Sequence, residues 1–441
     1  MPLDKILWRP SVVSKVGLIS LGCDKNRVDS ELILGLLSRN GYEIVSSINK
    51  ADIIIINTCG FITDSKAEGI NTILETINYG KKVVVTGCLV ERYLEQLKKE
   101  IPEVDLWIPI RDYYRFNELL LSLDNNKNIT PSLDYHNRIF TTQKNTAYLR
   151  IGEGCSNHCT YCAIPLIRGE YVSRPLDDIV EEANHLVSLG VNEITLLEQD
   201  TTKYGSDFKD GTTLVTLLDK LVAIDGLKHV RLLYLYPDEI SDELIDFIAK
   251  NPVIYPYFDI PIQHSEDRIL KKMNRRGDKK LLIELINKIR EKVPNAILRT
   301  TVMVGFPSES EEEYNNLLKF IKDIKFDHLG AFAYSQEEDT PSYSYPEQIP
   351  EEVKNDRLDK LMKVQQKISY QVNKKHLDEV MEVLITGKEN GYYVGRSYWN
   401  APDDVDGKIF IKTNNELSIS DIIKVKITDT YVYDLLGEEI Q

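Results

Sequence analysis

Residues Gly154–Cys162 read GCSNHCTYC, and this stretch is the most specific motif in the chain. Its cysteines have the spacing C-x3-C-x2-C. Three thiolates so close together can hold three irons of a [4Fe–4S] cube, which leaves the fourth iron open to a small chelating molecule. A zinc knuckle with His158 as fourth ligand is the alternative. A thioredoxin-like pair, Cys159 and Cys162, would leave Cys155 unexplained.

The segments around this motif alternate between strand and helix patterns. We predict six strands, at Tyr148–Glu153, Glu193–Leu197, Val230–Tyr236, Tyr257–Ile262, Ile297–Val304 and His328–Tyr334. Six strand–helix units are two short of an eightfold barrel, so the pattern predicts a partial (β/α)6 barrel. The cysteine motif follows the first strand, at the carboxyl edge where such folds place their chemistry.

The N-terminal part has the same rhythm. Strands are predicted at Lys15–Gly22, Asp52–Asn57 and Lys82–Thr86, with helices at Ser30–Arg39, Ser65–Tyr79 and Val90–Lys99 and a shorter repeat after them. Alternating strands and helices predict an open parallel sheet that is covered on both faces. The overall fold class is therefore α/β.

The remaining three cysteines each follow one of these N-terminal strands. Cys23, Cys59 and Cys88 lie 36 (59 − 23) and 29 (88 − 59) residues apart in the chain. Because the carboxyl ends of neighbouring parallel strands share one crevice, the three thiols can converge there. Nearby glycines allow close backbone approach to an inorganic cluster. The alternative is three buried structural cysteines.

The C-terminal part contains five short strand patterns separated by turns, which predict a small closed β-barrel of OB type. We place the boundaries at 14–124 for the N-terminal domain, 125–146 for a linker, 147–376 for the central domain and 377–441 for the barrel. The linker is rich in Asn, Thr, Lys and Asp, with one short strand expected around Arg138–Thr141.

Composition narrows the class of protein. The chain has 441 residues, of which 42% are hydrophobic, and a net charge of 54 − 69 = −15. This mixture excludes a disordered chain and a disulfide scaffold. The acidity disfavours strong direct nucleic-acid binding and favours a basic protein partner. No segment has the length and apolarity of a membrane span, and the first residues lack a secretory pattern, so we expect a cytoplasmic enzyme with reduced cysteines.

The cysteine motif resembles that of the radical S-adenosylmethionine (SAM) superfamily. Two three-cysteine sets followed by a small barrel resemble the methylthiotransferase family over essentially the whole chain, with the barrel similar to a TRAM domain. The segment LGCDKNRVDSE (Leu21–Glu31) resembles the N-terminal domain of the family. The segments Cys23–Asn26, Glu198–Thr201, DIPIQH (Asp259–His264) and APDDVDG (Ala401–Gly407) look like the branch that modifies ribosomal protein S12. The branch that modifies transfer RNA usually has Gln-Met-Asn after the first cysteine, and it is our alternative.

The resemblance implies the cofactors and their ligands. Two [4Fe–4S] clusters would bind to Cys155, Cys159 and Cys162 and to Cys23, Cys59 and Cys88, and SAM would chelate the open iron of the first set. Tyr161 would lie beside the adenine, Glu198 and Gln199 near the amino group of SAM, and Gly305 against the adenine. Gln263 and Arg299 are further candidates, with ordinary packing as the alternative for each.

The implied reaction replaces a C–H bond at the β-carbon of an aspartate in ribosomal protein S12 by C–S–CH3, a sulfur-group transfer. One SAM would give the 5′-deoxyadenosyl radical and another the methyl group, so no residue is expected to act as an acid or base. The protein S12, free or in the small ribosomal subunit, would be the partner, with a flavodoxin- or ferredoxin-like electron donor and a sulfur donor. The barrel, with 8 Lys/Arg against 13 Asp/Glu from residue 373 onward, is expected to attract this basic protein through an acidic run at Asp403, Asp404 and Asp406.

Overall fold

The computed structural model describes residues 14–123 and 132–440, so part of the predicted linker lies outside the described residues. The chain forms two compact units. The first contains residues 14–123 and 132–141 together with Leu166–Arg168, and the second contains the rest from Thr142 onward. Among the described residues, no helix has the length and apolarity needed to cross a membrane.

The first unit is built on a five-stranded parallel sheet in the order β2-β1-β3-β4-β5. Its strands are β1 (Lys15–Ser20), β2 (Glu43–Ile44), β3 (Ile53–Thr58), β4 (Lys82–Gly87) and β5 (Leu106–Ile108), and its helices are α1 (Asp24–Arg39), α2 (Thr63–Ile77), α3 (Cys88–Glu100) and α4 (Phe116–Leu120).

Both faces of this sheet are covered, which explains the unbroken aliphatic run in β3. Ile53 and Ile55 pack on one face with residues of α1 and α4, such as Ile33. Ile54 and Ile56 pack on the other face with residues of α2 and α3. The strand alternation therefore divides a single run of four isoleucines between two cores.

The second unit begins with the six-stranded core. Its parallel strands form two three-stranded sheets in the orders β10-β9-β6 and β11-β12-β13, and a short antiparallel pair, β7 with β8, lies beside them. The strands are β6 (Thr146–Arg150), β7 (Gly152–Glu153), β8 (Val172–Ser173), β9 (Glu193–Leu197), β10 (His229–Leu232), β11 (Tyr257–Asp259), β12 (Ile297–Val304) and β13 (His328–Ala333).

Helices connect these strands and lead out of the core. They are α5 (Ile164–Arg168), α6 (Leu176–Ser188), α7 (Leu214–Val222), α8 (Asp242–Lys250), α9 (Asp267–Lys272), α10 (Lys279–Lys292), α11 (Glu311–Ile324) and α12 (Glu351–Asn373). Backbone contacts join the two sheets, since Leu235 N donates to Asp259 O at 2.8 Å and Tyr255 N to Val230 O at 2.9 Å. This is the predicted partial barrel with a seam between its third and fourth strands.

The chain ends in a closed five-stranded barrel with the strand order β14-β15-β16-β18-β17. Its strands are β14 (Val380–Glu389), β15 (Tyr392–Arg396), β16 (Ile409–Lys412), β17 (Ile422–Thr430) and β18 (Leu435–Glu439). Closure leaves no unpaired sheet edge.

Buried charges attach this barrel to the amino-terminal ends of the core strands. Glu193, the first residue of β9, accepts a bond from Arg396 of the barrel at 2.7 Å and lies 3.7 Å from Arg231. Arg231 is fully buried and donates to Ser397 O and Tyr398 O, both at 3.2 Å. The two guanidinium groups hold the pKa of Glu193 below its usual value, although burial alone would raise it.

Asp406 makes the second charged contact, and it corrects one of our expectations. Its side chain is buried, and it accepts bonds from Arg299 at 3.1 Å and from the hydroxyl of Tyr257. Asp403 accepts a bond from Tyr148 at 2.6 Å. The expectation of an exposed acidic run is therefore wrong for Asp406, which is buried against the core, whereas Asp403 and Asp404 are exposed.

The short strand expected around Arg138–Thr141 is also absent from the described part of the chain. Glu31 of α1 organises this segment through side-chain bonds instead. It accepts from Arg138 at 3.0 Å and from Thr141 N at 2.8 Å. Hydrogen bonds to the buried carboxylate of Glu31 thus hold this segment, in place of the strand pairing that the local pattern predicted.

Replacing Glu193 by Ala should destabilise the second unit by about 3–5 kcal/mol, because two buried guanidinium groups lose their carboxylate. Urea denaturation followed by circular dichroism measures this. The exposed Glu416→Ala is the control and should change the free energy of unfolding by less than about 0.5 kcal/mol. Equal midpoints for the two variants would contradict the assigned role of Glu193.

Candidate functional site

The cysteines of the first unit lie at the carboxyl ends of three adjacent strands. Cys23 caps the amino terminus of α1 after β1, Cys59 directly follows β3, and Cys88 is the first residue of α3 after β4. A β-carbon added at Gly22 would lie only 2.7 Å from Cys59 Cβ and 3.2 Å from its sulfur. The loops of Cys23 and Cys59 are therefore in direct contact.

Asn26 connects all three cysteine loops. Its buried amide nitrogen donates to Leu21 O and Thr58 O, both at 3.0 Å, and its oxygen accepts from the Cys88 thiol at 3.4 Å. Asn57 in turn donates to Asn26 O at 2.8 Å. The sequence analysis considered Asn26 only as part of the segment that follows Cys23 and did not predict this role. Its place three residues after Cys23 was the available signal.

Close packing between the second and third loops requires a glycine. Gly87 has φ 97° and ψ −166°, a conformation that is essentially restricted to glycine. A β-carbon there would lie 2.4 Å from Thr58 O. The glycine before Cys88 thus allows the loop of β4 to lie directly against the end of β3.

Burial favours the protonated form of two of these thiols, those of Cys59 and Cys88. Cys59 and Cys88 are buried and Cys23 is exposed, and all six cysteines of the chain are free. Burial raises the pKa of Cys88 to about 12, with Arg168 opposing it and the other two cysteines adding to it. Burial also raises the pKa of Cys59. Metal binding at this site must therefore displace thiol protons.

The second triplet lies in the loop between β7 and α5. Gly154 precedes it with φ 79°, and a β-carbon there would lie 2.2 Å from Glu170 O. Cys155 N donates to Gly169 O at 3.0 Å, and Cys162 N donates to Cys159 O at 3.0 Å. The first bond ties the start of the loop to the residue after α5, and the second forms a turn between Cys159 and Cys162.

Side chains from other strand ends hold this loop. Asn157 donates to the buried Asp200, just beyond β9, at 2.7 Å, and Asn274 donates to His158 O at 3.0 Å. His158 itself is largely exposed, 3.6 Å from Glu170. Among the described residues, no group of three or more His, Cys, Asp or Glu is arranged to hold a single metal ion.

Cys159 has two polar neighbours that sequence reasoning missed. The hydroxyl of Tyr236 lies 3.8 Å from its sulfur, and Nη1 of the buried Arg275 lies 4.0 Å from it. The Arg275 guanidinium also lies over the Tyr236 ring, 4.0 Å from the centroid. The sequence contains little indication of this role for Arg275, because Arg275 lies more than a hundred residues from the cysteine motif.

Burial also affects the first cysteine of this loop, since it raises the pKa of Cys155 to about 11.

Two of the residues predicted to contact SAM, Glu198 and Gln199, lie against the start of this loop. Glu198, at the end of β9, is buried with its carboxylate against Gly152, where a β-carbon would lie 2.7 Å from Oε2. Gln199 N donates to Glu198 Oε1 at 2.7 Å. With the nitrogen of its side-chain amide turned toward the neighbouring acceptors, Gln199 also donates to Gly154 O at 3.2 Å. Tyr161 packs against Ile269 and Met273 and their neighbours.

Gly305 has a packing role that is evident in the structure. Its φ is 73°, and a β-carbon would lie 2.4 Å from the side chain of Lys354 on α12. Its amide donates to the buried Glu309 at 2.7 Å. A cofactor contact of Gly305 stays a prediction.

Arg299 and His264 have other partners. Arg299 is near the amino end of β12, where it bonds Asp259 at 2.7 Å and Asp406 at 3.1 Å. It belongs to the barrel attachment and lies away from the cysteine loop. His264 is fully buried with Nε2 3.0 Å from Glu309. Gln263 lies beyond β11 with φ 67°.

Comparison with known families matches all three parts of the chain. Residues 15–109 match the Uncharacterized protein family UPF0004, residues 149–321 the Radical SAM superfamily and residues 379–440 the TRAM domain. The ribosomal protein uS12 methylthiotransferase RimO of Clostridium novyi (strain NT) is 46% identical over 434 residues, covering 96% of this chain and 97% of the relative. The chain belongs to the uS12 methylthiotransferase family.

A second relative gives the same family. The uS12 methylthiotransferase RimO of Alkaliphilus oremlandii (strain OhILAs) is 47% identical over 433 residues, covering 96% of this chain and 98% of the relative. The predicted resemblance and the ribosomal-protein branch are confirmed, and the transfer-RNA alternative is not favoured. As a radical SAM enzyme, this uS12 methylthiotransferase uses a [4Fe–4S] cluster and SAM.

Solved structures with low identity share the fold. The radical SAM methyltransferase TsrM from Kitasatospora setae, with tryptophan and a SAM analogue bound, has a TM-score of 0.56 at 11% identity, covering 86% of this chain and 79% of that one. The cobalamin-dependent radical enzyme OxsB has a TM-score of 0.51 at 12% identity, covering 80% and 56%. The predicted fold class is confirmed.

Gly87→Ala should destabilise the first unit by clearly more than Gly80→Ala. Both glycines have positive φ, but Gly80 (φ 63°) has open space where a β-carbon would lie, so alanine there costs about 1–2 kcal/mol of backbone strain. At Gly87 the clash with Thr58 O adds to the strain. Urea midpoints of the two variants measure the difference, and similar midpoints would show that the loops are not tightly packed.

Proposed function

We propose that this enzyme adds a methylthio group to the β-carbon of an aspartate of ribosomal protein uS12, with one [4Fe–4S] cluster at each cysteine triplet. One observation carries the proposal. Each of two units presents three free cysteines beyond the carboxyl ends of its parallel strands, in a chain that matches uS12 methylthiotransferases over almost its whole length. Three thiolates per site leave one iron open for SAM or for the transferred sulfur.

The cysteines of each site would be the ligands of its cluster. Cys155, Cys159 and Cys162 would hold the cluster that binds SAM, and Cys23, Cys59 and Cys88 the second cluster. When bound, these groups supply the sulfur atom, the methyl group and a radical. The radical is able to remove hydrogen from an unactivated carbon. No acid or base in the protein can deprotonate that carbon, so we assign no acid–base residue.

The chain's own residues position these groups and exclude water. The buried Glu198 carboxylate would accept hydrogen bonds from the ammonium group of SAM, and Gln199 would fix the carboxylate through its backbone amide. Asp200 holds Asn157 and so keeps the cysteine loop in one conformation. Tyr161 and Gly305 would flank the adenine.

Several parts of the proposal concern partners. The electron would come from a flavodoxin- or ferredoxin-like protein, and the sulfur from a separate donor. The substrate would be uS12, either free or in the small ribosomal subunit, which places the enzyme in the cytoplasm. The barrel carries an excess of acidic residues, 13 against 8 basic ones from residue 373 onward, which suits a basic partner better than RNA.

Anaerobically reconstituted protein should contain about eight irons, from two cubes of four. Replacing Cys155, Cys159 and Cys162 by Ala should leave about four irons and abolish 5′-deoxyadenosine formation. Replacing Cys23, Cys59 and Cys88 should also leave about four irons, with SAM cleavage retained and methylthio transfer lost. Iron assays and chromatography of the products measure both. Only four irons in the unmodified protein would contradict the two-cluster proposal.

The substrate is tested by mass spectrometry of uS12 from cells with and without the gene. Cells that contain it should carry one methylthio group on an aspartate, and cells that lack it should not. The adenosine nucleosides of transfer RNA serve as the control and should be the same in both strains. A change in transfer RNA with unmodified uS12 would favour the alternative substrate.

A further inference from the structure

Arg168 places a buried positive charge beside one cysteine of the first unit. Although it follows Cys162 by only six residues in sequence, it belongs to the compact unit that contains Cys23, Cys59 and Cys88. Its Nη2 lies 3.7 Å from the Cys88 sulfur, within the range of a hydrogen bond to sulfur. The Arg168 side chain is only 2% exposed.

Two further partners fix the orientation of this guanidinium. Nη2 donates to Asp29 at 2.7 Å and to the Asn26 side-chain oxygen at 3.0 Å. Asp29 is also only 2% exposed, and Asn26 is the residue that connects the three cysteine loops. The arginine is thus held by the same side chains that organise the thiols.

This arrangement is difficult to explain by stability alone. A buried ion pair often contributes no more to folding than apolar residues of similar volume, because desolvation offsets the attraction between the charges. Here the carboxylate is bonded to the arginine, while a nitrogen of the arginine faces a thiol. The pair therefore presents a positive charge to the sulfur without adding net charge to the interior.

Such a charge has a defined effect on an iron–sulfur cluster. One-electron reduction adds one negative charge to a cluster that thiolates already make negative. A nearby cation and hydrogen bonds to the sulfur ligands stabilise this added charge and raise the reduction potential. In this step one electron enters from a low-potential reductant, no covalent bond breaks, and no proton has to move.

We propose that Arg168 is a positioning residue that, through Cys88, raises the reduction potential of the N-terminal cluster, with Asp29 and Asn26 holding it in place. The inference rests on the proposed function, because it needs the second cluster. It assigns Arg168, which follows Cys162 closely in the sequence, to the site of Cys23, Cys59 and Cys88.

The test uses full-length protein with Cys155, Cys159 and Cys162 replaced by Ala, so that only the N-terminal cluster is titrated. Two variants are compared with this parent. Arg168→Gln combined with Asp29→Asn removes both charges without leaving a buried unpaired ion. Arg168→Lys keeps the positive charge but loses the planar guanidinium, whose Nη2 lies within bonding distance of Asp29, Asn26 and Cys88. Arg111→Gln is the control, because Arg111 is an exposed arginine of the same unit paired with Glu91.

The readout is a redox titration with dithionite, followed by the electron paramagnetic resonance signal of the reduced cluster. At the midpoint potential of the parent, the double variant should show a tenfold lower ratio of reduced to oxidised cluster, a shift of about 59 mV for one electron. Arg168→Lys should shift in the same direction by less, and Arg111→Gln should not shift. Iron content, measured on each sample, shows whether the cluster is present.

Each outcome of the titration supports or overturns the role proposed for Arg168. An unchanged potential in the double variant overturns the inference, even if its melting temperature falls. If the double variant does not retain iron, Arg168→Lys decides alone, and a potential equal to that of the parent overturns the inference. A parent that holds no iron overturns the two-cluster proposal itself, which separates that failure from a failure of the role of Arg168.

Discussion

Parallel pairing of strands is the constraint on which the sites of this protein depend. It puts the carboxyl ends of all strands of a sheet on one edge, where loops from distant parts of the sequence meet. In the first unit this brings together the loops after β1, β3 and β4, and in the second it surrounds one cysteine loop with Glu198, Asp200 and Tyr236. The proposed clusters would thus occupy positions that the sheet topology already brings together.

Buried charge is the second theme of the structure. Each cysteine triplet has a buried arginine close to one of its sulfurs, Arg168 at 3.7 Å from Cys88 and Arg275 at 4.0 Å from Cys159. A third buried arginine, Arg231, helps attach the barrel through Glu193. Because desolvating a guanidinium is costly, each of these is held by several acceptors or by an aromatic ring.

The sequence predicted the features that depend on local pattern. Most strands and helices were found from hydrophobic periodicity, and the cysteines stood out because they follow strands at regular positions. The misses share a different cause. Arg168 and Asp406 look like ordinary charged residues in the sequence. Cys88, Asp29 and Asn26 lie 80 to 142 residues from Arg168, and Arg299 and Tyr257 lie 107 and 149 residues from Asp406. No local pattern encodes such pairings, which arise only when the chain is folded.

The attachment of the barrel limits which part of a bound substrate protein can reach the cysteine loop. The barrel is fixed to the amino-terminal ends of the core strands, and the cysteine loop follows their carboxyl ends. The eight residues of β12 span about 26 Å between these ends. If the barrel binds a substrate protein, the modified side chain must lie at a comparable distance from the surface that the barrel contacts. The enzyme would then select, among the exposed aspartates of that protein, one at this distance from the bound surface.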